Sequence, residues 1–145
     1  MSKEPHGSGL LDKYPYVAKS DVLGRVVCVL DARSEERGME LTIHPSRALC
    51  RHEIHELAIT DELEAAPGLT VNRVAYLAFF VIEQGGIVLQ GDEVFAGEQH
   101  LGRVVGFDLT HFPNHLNVVA CKQPRQTGLE LELKLGDIIT FSSTL

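Results

Sequence analysis

The pentapeptide Leu23-Gly-Arg-Val-Val27 recurs letter for letter as Leu101-Gly-Arg-Val-Val105. Each copy is followed by a polar loop and another strand-like run. Downstream of each lies a Gly-Asp pair feeding an apolar stretch, Gly91-Asp92-Glu-Val-Phe95 and Gly136-Asp137-Ile-Ile-Thr-Phe141. The order of parts matches, although the first copy carries some thirty extra residues, roughly His44 to Val74. β-Branched residues favour a pleated backbone, and Gly-Asp favours a tight turn. The pattern therefore predicts two similar β halves joined into a pseudo-twofold barrel. The competing reading is a common strand-entry phrase that recurs by chance.

Working outward from these copies, short apolar runs alternate with turns. Leu23 to Leu30, a polar loop from Asp31 to Gly38, and Met39 to His44 read as a hairpin stopped by Pro45. His52 to Ile59 alternates like a strand. Thr60 to Ala66 reads as a capped short helix ended by Pro67-Gly68, with Glu62 and Glu64 on its wet face. Asn72 to Ile82, which contains the nine-residue apolar run Val74 to Ile82, reads as a buried element that is helix or strand. The aromatic and β-branched residues at its end favour a strand, with Glu83 to Gly86 as its turn. Ile87 to Gln90, Gly91 to Phe95, His100 to Phe107, Leu116 to Cys121, the strictly alternating Leu129 to Leu135, and Ile138 to Phe141 follow as strands. The expected fold is a mostly β, small closed antiparallel-type β-barrel with one or two short helices. It spans residues 10–145 as a single domain, behind a disordered tail at residues 1–9.

Composition narrows the partners. The chain has 145 residues, 44% hydrophobic and 23% charged, as ordinary globular domains do. Lys plus Arg total 13 against 20 Asp plus Glu, a net charge of −7. Phosphate backbones repel such a surface, so nucleic acid is not expected as a partner. The apolar run at 74–82 is too short to cross a bilayer as a helix, and the first nine residues lack an apolar signal region, which points to a cytoplasmic protein. That same run is unusually apolar for so small a core, which raises the expectation of a homodimer. Three cysteines without Cys-x-x-Cys spacing argue against a disulfide framework. Cys28 and Cys121 read as buried, inert thiols, whereas Cys50 sits beside Arg51 and His52.

Five of the seven histidines fall in two clusters, His44, His52 and His55, then His111 and His115. In Asp108-Leu-Thr-His111-Phe-Pro-Asn-His115, a three-residue loop at Phe112 to Asn114 would set His111 against His115 on one face. A two-residue loop would set them on opposite faces. Convergence opens two chemistries. A divalent ion such as Zn or Fe would take His111, His115 and a third ligand from His100, Asp108 or the first cluster, keeping a position open for substrate. Without metal, the pair would serve as general acid and base, oriented by Asp108. Arg47 and Arg51 are candidates for binding a carboxylate or phosphate near the first cluster. The opposing reading is that these histidines only hydrogen-bond loop carbonyls. His52-Glu-Ile-His55 is one residue short of the zinc-protease spacing. Phosphate-binding glycine loops and a nucleophile elbow are both missing from the sequence. The expected function is a small-molecule enzyme of lyase, isomerase or cyclase type; the alternative is a barrel that binds a small ligand or a protein without catalysis.

Overall fold

The computed structural model describes residues 19–143; the tail foreseen at residues 1–9 lies outside them. Eleven strands follow in chain order: β1 Val22–Ser34, β2 Met39–Glu40, β3 Ser46–Leu49, β4 Ile54–Thr60, β5 Thr70–Val71, β6 Val74–Gln84, β7 Gly86–Leu89, β8 Glu93–Ala96, β9 Gln99–Asp108, β10 Asn117–Cys121 and β11 Ile138–Ser142. Seven of them close into a ring in the order β1-β11-β8-β9-β10-β4-β6. Six of its seven neighbouring pairs run antiparallel, and β4 runs parallel to β10. All seven ring strands contribute to one apolar cluster, with Phe80, Phe107 and Phe141 fully buried at its centre. Val105 and Val119 point the other way, into a second cluster with Met39, Leu41, Val71 and Val74. The small β2–β5 ribbon therefore covers part of the ring's outer face.

The two pentapeptide copies make the same bonds. Val26 N–H donates to the Asp137 carbonyl at 2.9 Å, and the Val26 carbonyl accepts from Gly136 N–H at 2.9 Å. Val104 donates to the Asp92 carbonyl at 2.9 Å and accepts from Gly91 N–H at 2.8 Å. Asp92 and Asp137 each turn a carboxylate back onto the amide three residues earlier, Leu89 at 3.0 Å and Lys134 at 2.9 Å. The strands that follow, β8 and β11, pair with each other, Ile139 opposite Ala96 and Phe141 opposite Val94. Each pentapeptide thus binds the Gly-Asp turn belonging to the other copy.

Several expectations are corrected. Among the described residues there is no helix. Thr60 closes β4, and the next residues form turns because the Glu62 carboxylate folds back onto the amides of Asn72 and Arg73, each at 2.7 Å. Glu62 is therefore buried rather than on a wet face. Leu129 to Leu135 is not a strand. Thr127 and Glu130 cap each other's amides, and the chain curls so that Leu133 is buried while Leu129 and Leu135 are exposed. Met39 does not return along β1 as a hairpin; β1 runs on to Ser34 and pairs with β11 and β6. Cys28 is exposed. The apolar run from Val74 to Ile82 is covered within the chain, since Val74, Ala75, Leu77, Ala78, Phe80 and Ile82 are all buried. The observation behind the homodimer is thus accounted for inside one molecule. No helix among the described residues is long and apolar enough to cross a membrane.

The matched turns predict unequal costs. Asp137→Ala removes one exposed carboxylate-to-amide bond and should cost about 1 kcal/mol in urea unfolding. The Asp92 carboxylate is buried and also lies 2.9 Å from the Lys19 ammonium. Asp92→Ala should therefore cost roughly 2–3 kcal/mol, because it leaves a buried amide and a cation without partners. Equal costs would show that the shared turn bond dominates at both sites.

Candidate functional site

Between β9 and β10 the chain makes a loop from 109 to 116, longer than the three-residue connection expected. It nevertheless brings the two histidines together. His115 N–H reaches the His111 carbonyl at 3.3 Å, and the imidazoles stack with centroids 5.1 Å apart and an interplanar angle of 29°. The ring of Phe79, from β6, meets His115 edge-on at 5.2 Å. Asn114 donates from its side-chain amide to His115 Nδ1 at 2.9 Å. That bond sets the tautomer, placing the remaining proton on Nε2. Nε2 is buried and has no partner. The His115 residue, with His52, Ile54, Phe79 and Asn114, lines an open groove of about 420 Å3. Burial chiefly lowers the His115 pKa, aided by the like charges of His111 and His55 and opposed by Asp108. His115 is thus neutral at neutral pH.

One member of the first cluster joins this site. β4 lies beside β10, so the Leu116 amide donates to His55 Nδ1 at 3.1 Å. His55 Nε2–H then faces the Glu53 carboxylate at 3.2 Å. The Cys50 amide, 2.7 Å from the same carboxylate, is the main cause of its lowered pKa, with burial opposing and His55 and Arg47 assisting. His55 is buried, and with both nitrogens engaged it acts as a brace under the loop. Arg47 lies 5.4 Å over the Phe112 ring, its Nε buried and without a partner. His44 is exposed and takes no part; His52 forms the groove rim at φ 79, its amide tied to the Ile82 carbonyl at 2.9 Å. Arg51 is exposed and is not among the residues lining the groove.

Two expected participants lie elsewhere. His100 and Asp108 sit at opposite ends of β9, eight residues apart, or about 26 Å along a strand. His100 contacts Glu93, Phe95 and Lys122, so the triad of His100, His111 and His115 is not assembled. Among the described residues no three His, Cys, Asp or Glu side chains are grouped to hold a metal ion. Asp108 does not orient either imidazole through a hydrogen bond. It is buried on the outer face, accepting from Thr110 at 2.7 Å and Asn117 at 2.8 Å, with Arg37 4.0 Å away.

Beside Asp108 lies Glu56, a residue that no sequence motif singles out. It is paired in register with Asn117 and buried beneath the segment that carries β2 and β5. Burial pushes its pKa up to about 7, Arg37 opposes the rise, and Asp108 adds to it. Asn117 Oδ1 and Thr42 Oγ1 are likewise buried without partners. No local pattern marks Glu56, because the groups that bury it lie far away in sequence.

A family model described as a family of unknown function (DUF6917) matches residues 16–142, and the chain belongs to that family. No curated protein and no solved structure matches the chain.

Two titrations follow from this geometry. In NMR of the histidine rings, the His115 midpoint should fall below about 6.5, and His111→Ala should raise it by removing a like charge. A midpoint unmoved by His111→Ala would show the stack to be electrostatically idle. Glu56 is an acid whose folded pKa exceeds its unfolded value, so its contribution to stability is complete below pH about 4.5 and declines as pH rises to about 7. Relative to Glu56→Gln, the wild type should lose at most roughly 3 kcal/mol across that window in urea unfolding. Parallel stability profiles for the two would show that Glu56 is solvated.

Proposed function

We propose that this member of the DUF6917 family is a small-molecule enzyme that moves a proton with the His111–His115 pair, in lyase, isomerase or cyclase chemistry. The observation that carries this reading is His115 lining the groove, with its Nε2 buried and unpartnered and its tautomer set by Asn114. A neutral imidazole N–H is suited to polarise a carbonyl by donating a hydrogen bond to its oxygen. His111, stacked beside it and exposed, is placed to collect a proton from the same substrate. Phe79 and Ile54 supply apolar wall, which keeps water from competing for the N–H. His55 and Glu53 hold the loop from below and are positioning residues. The same reading takes the ring as a pseudo-twofold β-barrel built from two halves, since both copies make matching turn bonds.

The second reading is a binding module without catalysis. It is favoured by the openness of His111 to solvent and by Asp108 being engaged with Thr110 and Asn117 rather than with an imidazole.

Deuterium exchange separates the two. The protein is incubated in D2O with a panel of small ketones, aldehydes and 2-oxo acids, and NMR follows solvent deuterium entering the carbon next to the carbonyl. Wild type should exchange at least one panel member, and His115→Gln should slow it about a hundredfold or more while the protein's spectrum stays dispersed. Saturable binding without exchange would favour the binding module. Exchange that survives both His115→Gln and His111→Ala would end the catalytic reading of this pair.

A further inference from the structure

At the opposite end of the ring, Glu93, His100 and Lys122 form a continuous chain of side chains. His100 Nε2 lies 2.5 Å from Glu93 Oε2, and Lys122 Nζ lies 2.8 Å from His100 Nδ1. A carboxylate only accepts, so the His100 proton sits on Nε2 and its Nδ1 lone pair receives a hydrogen from Lys122. The Lys122 backbone is pinned in turn, its amide donating to the Thr60 carbonyl at 2.9 Å. Among the described residues no carboxylate lies within ion-pair distance of the Lys122 ammonium. This cation is fixed by a neutral imidazole and keeps protons to give, in a chain whose net charge is −7.

Lys122 and His100 line a cavity of about 130 Å3, together with Gln99 and Gln126, while Ile59 and Leu131 are among its apolar walls. A cavity near 150 Å3 holds a molecule the size of benzene, so this one suits about six non-hydrogen atoms.

The ring does not need these polar groups. His100 precedes the second pentapeptide as Val22 precedes the first, and Glu93 follows Asp92 as Ile138 follows Asp137. The two halves make the same backbone bonds, yet one carries a buried valine and an isoleucine where the other carries the histidine and the glutamate. A register shift between Val94 and Phe95 against β9 distinguishes the second half. It pairs His100 with Phe95 in place of Ala96, and so turns the imidazole onto the face that Phe95 shares with Glu93. Bulges of this kind re-aim side chains beside sites.

We propose that this cavity binds a small carboxylate, of acetate to pyruvate size, on the ammonium of Lys122, with His100 and Glu93 holding that ammonium in place. The site is independent of the histidine pair at the other end. The test is an NMR titration of the 15N-labelled full chain with pyruvate, acetate, neutral acetamide and the bulkier benzoate. Pyruvate or acetate should bind saturably in the millimolar range and shift amides around Gln99, His100, Lys122 and Gln126. Acetamide and benzoate should leave those amides in place. Lys122→Met should weaken pyruvate by about tenfold or more. His100→Phe, which keeps the cation but frees it, should weaken pyruvate by a smaller factor; a dispersed spectrum of each variant shows that it is folded. Absence of saturable carboxylate binding, equal binding of acetamide, undiminished binding by a folded Lys122→Met, or shifts confined to the His115 groove would each overturn the proposal.

Discussion

Ring closure is the constraint on which the rest of this structure depends. An open sheet of seven strands leaves two edges of unpaired amides and carbonyls, and the parallel pairing of β4 with β10 removes both. Parallel neighbours cannot be joined by a tight turn, and the chain between Thr60 and Asn117 builds β5, β6, β7, β8 and β9 before it returns. The closing pair also decides what stands at the end of the ring. It brings His55 under the β9–β10 loop and Glu56 beside Asn117, one on each face of the same strand.

Closure produces two chemically different ends. At one, the loop between β9 and β10 stacks two imidazoles over an open groove and leaves one ring nitrogen without a partner. At the other, a lysine is tethered to a histidine, which is held in turn by a glutamate, beside a smaller cavity. β9 spans the distance between them, contributing His100 at its start and Asp108 at its finish. Histidines that look like one constellation along the chain are therefore divided between sites. The outer face adds a third polar group, Glu56 with Asp108 and Arg37, which is buried because the β2–β5 ribbon lies across it.

Legibility followed the range of the interactions. The strand content, the strand after Gly136-Asp137 and the repeated pentapeptide were readable, since period-two alternation and turn chemistry act over a few residues. The adjacency of His111 and His115 was readable for the same reason, although the loop that achieves it is longer than expected. Local reading failed where a side chain chose a distant partner. Thr60 to Ala66 has a helix-start pattern, but Glu62 bonds to Asn72 and Arg73 and spends its carboxylate there. Leu129 to Leu135 alternates perfectly, yet Thr127 and Glu130 cap one another and curl it into turns.

By itself, then, the sequence determined a mostly β chain with two like segments and a pair of neighbouring histidines, because each of these is a short-range property. The tertiary structure alone decided that His55 braces the pair, that His100 belongs with Lys122, and that Glu56 is buried. Those outcomes depend on which strands become neighbours when the ring closes, and strand neighbours are chosen by backbone pairing between segments far apart in the chain.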